Sequence, residues 1–274
     1  MRICLLTTQD LDHLPLPADD WPCDPRPFLP EADWTLAVLE KPGSVAQVEA
    51  LVARGFDLFF NLCDGAADQA DNPGIEVVET LERLGRPFTG ATSSFYEPTR
   101  EQMKAACRAA GVGTPEGLVV RDDADVARAA ETLRFPLFVK HHNSYASVAL
   151  SRASRVATPA GLRRQARKII SRFGAALVEE YVDGTEYTVL VAENPDDPDA
   201  PVAYTPMQYR FPDGETFKHE GLKWVDYDGM VAEPVRETAL ARRLRRAAAR
   251  LFVGLQGASW GRVDVRVDGE GRCF

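Results

Sequence analysis

Short apolar segments alternate along this chain with segments whose apolar residues recur at helical spacing, and this alternation constrains the fold more than any other feature. Arg2–Thr7 and Asp57–Leu62 are typical of buried strands, whereas Ser44–Arg54 carries apolar residues three and four positions apart. Strands that alternate with amphipathic helices are typical of α/β proteins. We therefore predict an α/β fold made of three α/β units.

The predicted units span residues 1–92, 93–175 and 176–274. The first is an N-terminal α/β domain, the second a central subdomain and the third a C-terminal subdomain with an antiparallel sheet. Within the third unit, Gln208–Met230 is predicted to be a long irregular loop, and loops of that length in compact domains are usually functional or disordered. The third unit is expected to be incomplete, because only three residues follow the predicted turn at residues 268–271 and they are too few to pair with a full strand.

Local signals predict several element boundaries. Ser44 and Thr158 are expected to cap the starts of two helices with their hydroxyl groups. Pro98 is expected in the first turn of another helix, where its missing N–H is not needed. Val148–Ser151 is predicted to be a strand.

Composition and charge exclude several functional classes. The chain has 32 Lys and Arg against 41 Asp and Glu, a formal charge of −9, so it lacks the basic surface that a nucleic-acid-binding protein needs. No apolar run approaches the roughly 20 residues of a membrane span. The five cysteines are far apart and form no C-x-x-C pair, which favours free thiols in a reducing cytoplasm.

A set of charged residues recurs at strand ends and in loops. Lys140 ends an apolar strand, Glu179 and Glu186 flank a turn signal, and Lys223 lies in the long loop. Arg262 and Asp264 lie on the last predicted strand. Basic residues and carboxylates that converge from different units are what a nucleoside triphosphate and its Mg²⁺ require.

The order and spacing of these motifs resemble the ATP-grasp superfamily, and most closely its D-alanine–D-alanine ligase branch. The resemblance covers nearly the whole chain. It implies an ATP-grasp fold with ATP between the central and C-terminal units. The segments that carry it are residues 57–65 (DLFFNLCDG), 75–90, 103–115, 136–150, 176–191 and 261–268.

The resemblance also implies residue roles in nucleotide binding. Lys140 would contact the ATP phosphates, and Arg100 aligns with another phosphate-contacting lysine of the family. Glu179 would accept a hydrogen bond from the adenine amino group, and Glu186 would hold the ribose hydroxyls. The residues that the resemblance assigns to nucleotide binding are Arg100, Lys140, Ser147, Glu179, Glu180, Tyr181, Val182, Glu186 and Lys223, with the backbone of 180–182 lining the adenine slot.

The implied reaction is carboxylate activation by phosphoryl transfer, followed by attack of an amine on the acyl phosphate. Arg262 would stabilise the tetrahedral intermediate. Lys223 would reach the terminal phosphate, and Asp264 would ligate Mg²⁺. The implied cofactors are ATP and Mg²⁺, and the implied partners are small amino acid or carboxylate substrates. Because members of the family often form dimers, a homodimer is a possible assembly.

Two departures from the family pattern point away from D-alanine as the substrate. The chain has Thr7-Thr8-Gln9-Asp10 where the family has a Gly-Gly-x-Ser-x-Glu segment, and Asp64-Gly65 where it has His-Gly. A different amino acid or small carboxylate is therefore expected. The glycine-poor phosphate loop leaves a second hypothesis open, a non-catalytic nucleotide-binding relative that acts as a sensor or scaffold.

Other candidate sites have simpler interpretations. His141-His142 could be metal ligands, but polar residues that line a phosphate loop are favoured because no third ligand has a recognisable spacing. Cys63 is assigned to packing. The arginine-rich stretches at 163–172 and 242–250 are each expected to form the solvated face of a helix. For Asp64, a position beside the substrate and a solvated loop remain equally open.

Overall fold

The computed structural model confirms the α/β fold class. It describes residues 1–8, 11–12, 24–66, 70–143, 147–224 and 229–274, without the side chains of Lys223 and Trp224. The helices within these ranges are α1 Ser44–Val52, α2 Ile75–Arg83, α3 Ser93–Tyr96, α4 Arg100–Ala109, α5 Asp123–Thr132, α6 Pro159–Phe173, α7 Glu220–Trp224 and α8 Thr238–Gly254. No helix in the described ranges has the length and apolar character needed to cross a membrane.

In the part of the chain that the structure describes, the strands are distributed over three sheets. Their bounds are β1 Arg2–Thr7, β2 Asp33–Val38, β3 Leu58–Asn61, β4 Gly117–Val120, β5 Leu137–His141, β6 Arg155–Val156, β7 Ala176–Glu180, β8 Gly184–Ala192, β9 Val202–Ala203, β10 Met207–Arg210, β11 Val231–Pro234 and β12 Trp260–Asp268.

Contacts between residues divide the chain into two compact units. The first comprises residues 1–98 and 256–261, and the second comprises residues 99–255 and 262–274. The second unit contains two of the three sheets. The division of the chain into three units with boundaries at 92 and 175 stays a prediction.

The first unit contains a parallel sheet in the order β2-β1-β3. Because β1 is central and buried on both faces, its sequence is a continuous apolar run rather than an alternating one. Helices α1 and α2 contact each other, and their buried residues join those of the sheet in one core. The fully buried members include Cys4, Leu6, Val48, Phe59, Val77 and Leu81.

The predicted cap of α1 is wrong. Gly43 is the N-cap residue, with a positive φ of 104° that glycine adopts without a Cβ clash. Ser44 is instead the first helical residue, and its buried hydroxyl donates to Oε1 of Glu76 at 3.1 Å. The hydroxyl therefore joins α1 to α2 rather than satisfying the end of its own helix.

The starts of α4 and α6 show how specific a cap signal can be. Pro98 lies outside α4, because Thr99 caps that helix in a reciprocal pair of hydrogen bonds with Gln102. Thr158 caps α6 as predicted, accepting the Gly161 N–H at 3.1 Å. Pro159 occupies the first helical turn.

The first sheet of the second unit is antiparallel, in the order β4-β7-β5-β6. Helices α5 and α6 pack against each other and contact its strands. Together they bury one core, which includes Val120, Leu137, Val139, Leu162, Ile169 and Val178. The arginines and the lysine of α6 lie on its exposed face, as predicted.

The second sheet of this unit has the order β11-β10-β8-β12, with β9 paired to β8. The β10–β11, β10–β8 and β8–β9 pairs are antiparallel, as predicted for the C-terminal part. Helix α8 contacts β8 and buries Leu244, Ala248 and Phe252. Its arginines between residues 242 and 250 are exposed, which confirms the predicted solvated face.

Two sequence predictions for the second unit are corrected. Val148–Ser151 is not a strand, because Ser147 and Ala149 have φ of 62° and 58° and form a turn; the next strand along the chain is β6, which pairs with β5. The predicted loop Gln208–Met230 includes the end of β10 and all of α7. The last residues form only an isolated bridge with β12, in which Phe274 donates its N–H to the Arg266 carbonyl at 2.8 Å and accepts in return at 2.9 Å, and the incompleteness of the third unit stays a prediction.

We predict that Thr158→Ala lowers the free energy of unfolding of the second unit by about 1 kcal/mol, because one N–H at the start of α6 loses its acceptor. Urea denaturation, followed by amide hydrogen exchange in α6, measures the change. Thr132→Ala is the matched control, since the Thr132 hydroxyl only donates to the Arg128 carbonyl within its own helix. An equal loss in both variants would contradict the capping role.

Candidate functional site

A buried carboxylate, Glu179 on β7, is the centre of the candidate site. Its residue is only 4% exposed. Lys104 Nζ lies 2.6 Å from Oε1, and Lys140 Nζ contacts Oε2. Each carboxylate oxygen is therefore paired with a different ammonium group.

The strand register explains how Lys140 reaches this carboxylate. Phe138 on β5 lies directly opposite Glu179 on β7. Lys140 is two residues further along β5, so its side chain projects from the same face of the sheet. Lys104 comes from α4, and its ammonium group also donates to the Pro115 carbonyl. The site thus joins a helix to the two central strands.

Glu179 is held in its ionised form. Burial by itself raises the pKa of this carboxyl, but the charges of Lys140 and Lys104 and their hydrogen bonds outweigh burial, so the pKa lies below its ordinary value. A buried carboxylate without such partners would be protonated instead.

The cluster carries more positive than negative charge. Burial lowers the pKa of Lys140, Glu179 opposes that shift, and the nearby Arg100 guanidinium acts in the same direction as burial. Arg100 and Lys104 lie one turn apart on α4. Two cations pair with the carboxylate and a third, Arg100, lies near Lys140, and such an excess of positive charge attracts anions.

Polar groups continue from this cluster into the segment that follows β5. Asn143 accepts the backbone N–H of Arg100 at 3.0 Å through Oδ1. The rings of His141 and His142 are stacked with centroids 4.7 Å apart. Nδ1 of His142 is buried and has no hydrogen-bond partner within the described ranges, which is the state expected of a group that contacts an absent ligand. The described residues contain no group of three or more possible metal ligands.

The end of β7 lies among aromatic side chains. The rings of Tyr181 and Phe138 have centroids 5.9 Å apart, and Phe217 packs edge-on against Phe138 at 4.9 Å. The N–H of Glu180 donates to the Glu116 carbonyl, and the N–H of Tyr181 donates to the Pro136 carbonyl. These two backbone donors are thus used inside the protein.

The side chain of Glu180 has a separate role at the surface. Its carboxylate pairs with Arg134, with Nη2 2.7 Å from Oε2. The Arg134 hydrogen bond is the main reason that the pKa of Glu180 is lowered. Because the Arg134 side chain is 86% exposed, the pair contributes little to stability.

A second buried carboxylate, Glu186 on β8, is paired with two further cations. Lys218 Nζ lies 3.2 Å from Oε1, and Arg266 Nη2 lies 3.4 Å from Oε2. Arg266 also donates to the Val182 carbonyl at 2.8 Å. Glu186 is thereby linked to the segment that follows β7, beside the aromatic group.

Ser147 and Lys223 are the other two residues that the family resemblance assigns to the phosphate side. The Ser147 hydroxyl donates to the Lys218 carbonyl at 3.1 Å. Lys223 lies in α7, and its side chain is outside the described part of the chain. Their predicted contacts with a nucleotide stay predictions.

Arg262 and Asp264 lie on β12, with Nε and Oδ1 3.7 Å apart and both side chains about half exposed. Asp264 offers one carboxylate, and the described residues form no cluster of three possible ligands around it. Mg²⁺ requires near-octahedral oxygen coordination, so the described side chains do not by themselves form a magnesium site.

Sequence reasoning missed three cations of the site: Lys104, Lys218 and Arg266. Lys104 follows Arg100 by four residues, a helical spacing that places both side chains on one face. Arg266 follows Arg262 and Asp264 at alternate positions of a strand, a spacing that places all three on one face. These two signals were present in the sequence. Lys218 follows no regular pattern.

Known sequences similar to this chain include D-alanine–D-alanine ligases. A family profile described as the D-ala D-ala ligase C-terminus matches residues 112–274. A D-alanine–D-alanine ligase of Laribacter hongkongensis is 29% identical over 86% of this chain and 70% of its own length. An uncharacterised protein, y4sG of Sinorhizobium fredii, is 31% identical over 81% of this chain. The chain spans 65% of the length of that relative, which is less than two thirds.

Comparison with solved structures supports the same fold. The structure of D-alanine–D-alanine ligase from Bacillus anthracis, complexed with ATP, matches 100% of this chain and 84% of its own with a TM-score of 0.66. The sequence identity is 16%, so the match identifies the ATP-grasp ligase fold.

We predict that Glu179→Gln destabilises the second unit by about 3–5 kcal/mol at neutral pH, because it leaves buried ammonium groups without their counter-ion. The lowered pKa of Glu179 sets the pH dependence. The ion cluster contributes fully above the ordinary glutamate pKa of about 4.3, and the contribution is lost as the pH falls through the lowered folded-state value.

Urea unfolding of the wild type and Glu179→Gln at several pH values between neutrality and acid measures this difference, which should shrink as the pH falls. Glu180→Gln is the matched control on the adjacent residue and should cost less than about 1 kcal/mol, because its partner is exposed. A difference between wild type and Glu179→Gln that is independent of pH would show that ionisation of Glu179 does not matter.

Proposed function

The chain belongs to the D-alanine–D-alanine ligase family, and from this premise we propose that it is an ATP-dependent carboxylate–amine ligase. It would form an amide or dipeptide bond through an acyl-phosphate intermediate. The observation that carries the proposal is the pairing of Lys104 and Lys140 with the single carboxylate of Glu179, with the charge of Arg100 near Lys140. A net positive cluster on ordered elements suits the phosphates of a nucleoside triphosphate.

The residues present fit such a nucleotide. Lys140 and Arg100 would contact the phosphates, and the buried Nδ1 of His142 would provide a further polar contact. Glu179 would orient the ammonium groups and could still accept from the adenine amino group, because a carboxylate has about four lone-pair sites. Glu186 would hold the ribose hydroxyls.

The base would lie beside the segment from Glu180 through Tyr181 to Val182. The aromatic rings of Phe138, Tyr181 and Phe217 offer apolar surface of the kind that a purine needs. Because two of the backbone N–H groups are used internally, the base would depend more on that apolar surface than on backbone donors. Ser147 and Lys223 would complete the phosphate side.

The proposed chemistry is a balanced pair of substitutions at phosphorus and carbon. A substrate carboxylate oxygen forms a bond to the γ-phosphorus as the bond to the β–γ bridging oxygen breaks, which releases ADP. An amine nitrogen then attacks the acyl carbon, loses a proton, and displaces inorganic phosphate. Arg262 would stabilise the negative oxygen that develops at the acyl carbon, and Lys223 would offset charge on the transferred phosphoryl group.

The ligase reaction of the family requires Mg²⁺ with ATP. Asp264 would supply one carboxylate ligand, and the nucleotide phosphates could supply further oxygens. The remaining ligands do not come from a cluster in the described residues.

The proposed substrates are small amino acids or carboxylates. Asp64-Gly65 and the segment after β1 differ from the family pattern that binds D-alanine, so an amino acid other than D-alanine is favoured. A homodimer is proposed as the assembly by analogy with the family. A cytoplasmic location is proposed because the reaction consumes ATP, and it agrees with the free thiols of Cys4, Cys63, Cys107 and Cys273.

The ligase proposal is tested by phosphate release from ATP in the presence of MgCl₂ and paired amino acids from a panel of D- and L-isomers. We expect phosphate release only when both a carboxylate donor and an amine acceptor are supplied, with one dipeptide or amide found by mass spectrometry. Binding of ATP without acceptor-dependent phosphate release from any pair would overturn the ligase proposal and favour a nucleotide sensor or scaffold.

We predict that Lys140→Met lowers kcat/KM for ATP about 10- to 100-fold, because a charge-assisted contact with phosphate contributes about 1.5–3 kcal/mol. Steady-state kinetics with the amino acid pair found above measure the change. Lys168→Met on the exposed face of α6 is the control and should keep wild-type kinetics. Unchanged kinetics in folded Lys140→Met would remove Lys140 from the site.

A further inference from the structure

Arg266 differs from the other charged residues on its face of β12. Its side chain is 16% exposed, whereas those of Arg262 and Asp264 are 51% and 47% exposed. The side chain of Arg266 is therefore mostly enclosed by the second unit, and its guanidinium needs partners there, because an unpaired cation with little access to water is strongly unfavourable.

The guanidinium of Arg266 contacts four groups from three segments. Nη1 donates to the Tyr181 hydroxyl at 2.9 Å and to the Val182 carbonyl at 2.8 Å. Nη2 donates to the Thr216 carbonyl and lies 3.4 Å from Oε2 of Glu186. The guanidinium carbon also lies 5.0 Å from the centre of the Tyr181 ring. The planar guanidinium therefore contacts the residues just after β7, strand β8 and the segment before α7.

The effect on Glu186 is to fix its orientation. Arg266 contacts Oε2, and Lys218 contacts Oε1 at 3.2 Å. Each cation uses only part of the hydrogen-bonding capacity of the oxygen that it contacts. The remaining lone pairs can accept from two neighbouring hydroxyl groups, such as those of a ribose.

We propose that Arg266 is a positioning residue that makes the site selective for ribonucleotides, by holding the Glu186 carboxylate where it can accept both ribose hydroxyls. This inference rests on the proposed nucleotide-binding function and extends it from binding to discrimination. The substrate class is a nucleoside triphosphate with an intact 2′-hydroxyl. Arg266 acts through Glu186 and does not contact the reacting atoms.

Arginine suits this role better than lysine. Its planar fork presents several donors in fixed directions, so it can contact Glu186, the Val182 carbonyl and the Thr216 carbonyl at once. A lysine at the same position supplies the charge from a single nitrogen and cannot hold all these acceptors. Lysine should therefore retain part of the effect and methionine none of it.

The experiment measures the dissociation constants of ATP and 2′-deoxy-ATP by isothermal titration calorimetry, without an amine acceptor, for the full chain. We expect the wild type to bind ATP at least 10-fold more tightly than 2′-deoxy-ATP, as for the loss of one hydrogen bond to a charged group. In Arg266→Met the ratio should fall to below 3-fold, and in Arg266→Lys it should be intermediate.

Arg155→Met is the matched control. The Arg155 guanidinium also lies over the Tyr181 ring, at 4.9 Å, but Arg155 is exposed and its contact is with the ring rather than with the ribose-site carboxylate. This variant should keep the wild-type ratio. Glu186→Gln should lose the ratio, and adding Arg266→Met to it should cause no further loss, because both act on one recognition step.

The outcomes separate the inference from the function on which it rests. A folded Arg266→Met that keeps the wild-type ratio, or that weakens both nucleotides equally, overturns the positioning role and leaves the ligase proposal intact. Binding of neither nucleotide by the wild type overturns both. If Arg266→Met does not fold, the reduced ratio in Arg266→Lys decides the question, and an unchanged ratio there counts against the role.

Discussion

The pairing of Glu179 with Lys104 and Lys140 is the interaction on which the second unit depends. It joins α4 to β5 and β7 at a point where the carboxylate is almost completely buried. Removing the charge of Glu179 would leave two ammonium groups without their counter-ion, which costs more than the intact cluster contributes. The same burial fixes the directions of the ammonium groups, so the cluster that stabilises the unit also presents an ordered positive surface.

The two sheets of the second unit are connected by a similar arrangement. Glu186 on β8 is held by Lys218 and by Arg266 on β12, and Arg266 extends to the carbonyl of Val182, just beyond β7. A buried carboxylate with two cationic partners therefore occurs twice, once within the first sheet and once where the second sheet meets it. In both cases the net charge is positive, although the whole chain carries −9. The acidic surface elsewhere does not prevent a local site for anions.

How much of this could be predicted from the sequence depends on the range of the interactions. Thr158-Pro159 predicted the start of α6 because a cap involves residues three positions apart. The motif around Lys140, Glu179 and Glu186 identified the family correctly. The strand predicted at Val148–Ser151 was wrong. Ser147 and Ala149 have positive φ angles, and because neither residue is glycine, the sequence carries no signal for that conformation. Ser44 failed as a cap because its hydroxyl has a partner 32 residues away, in α2.

The charged partners were the hardest part to predict, because pairing depends on which faces of distant elements meet. Lys104 and Arg266 lie at spacings that place them beside recognised residues, yet a helical or strand spacing alone is also typical of a solvated face. Burial distinguishes the two cases. The exposed arginines of α8 need no partner, whereas the mostly enclosed Arg266 has several, and its partners belong to segments that the family resemblance assigns to nucleotide binding. The exposed fraction of a side chain therefore separates a charge that must be paired within the protein from one on a solvated face, which sequence spacing alone does not do.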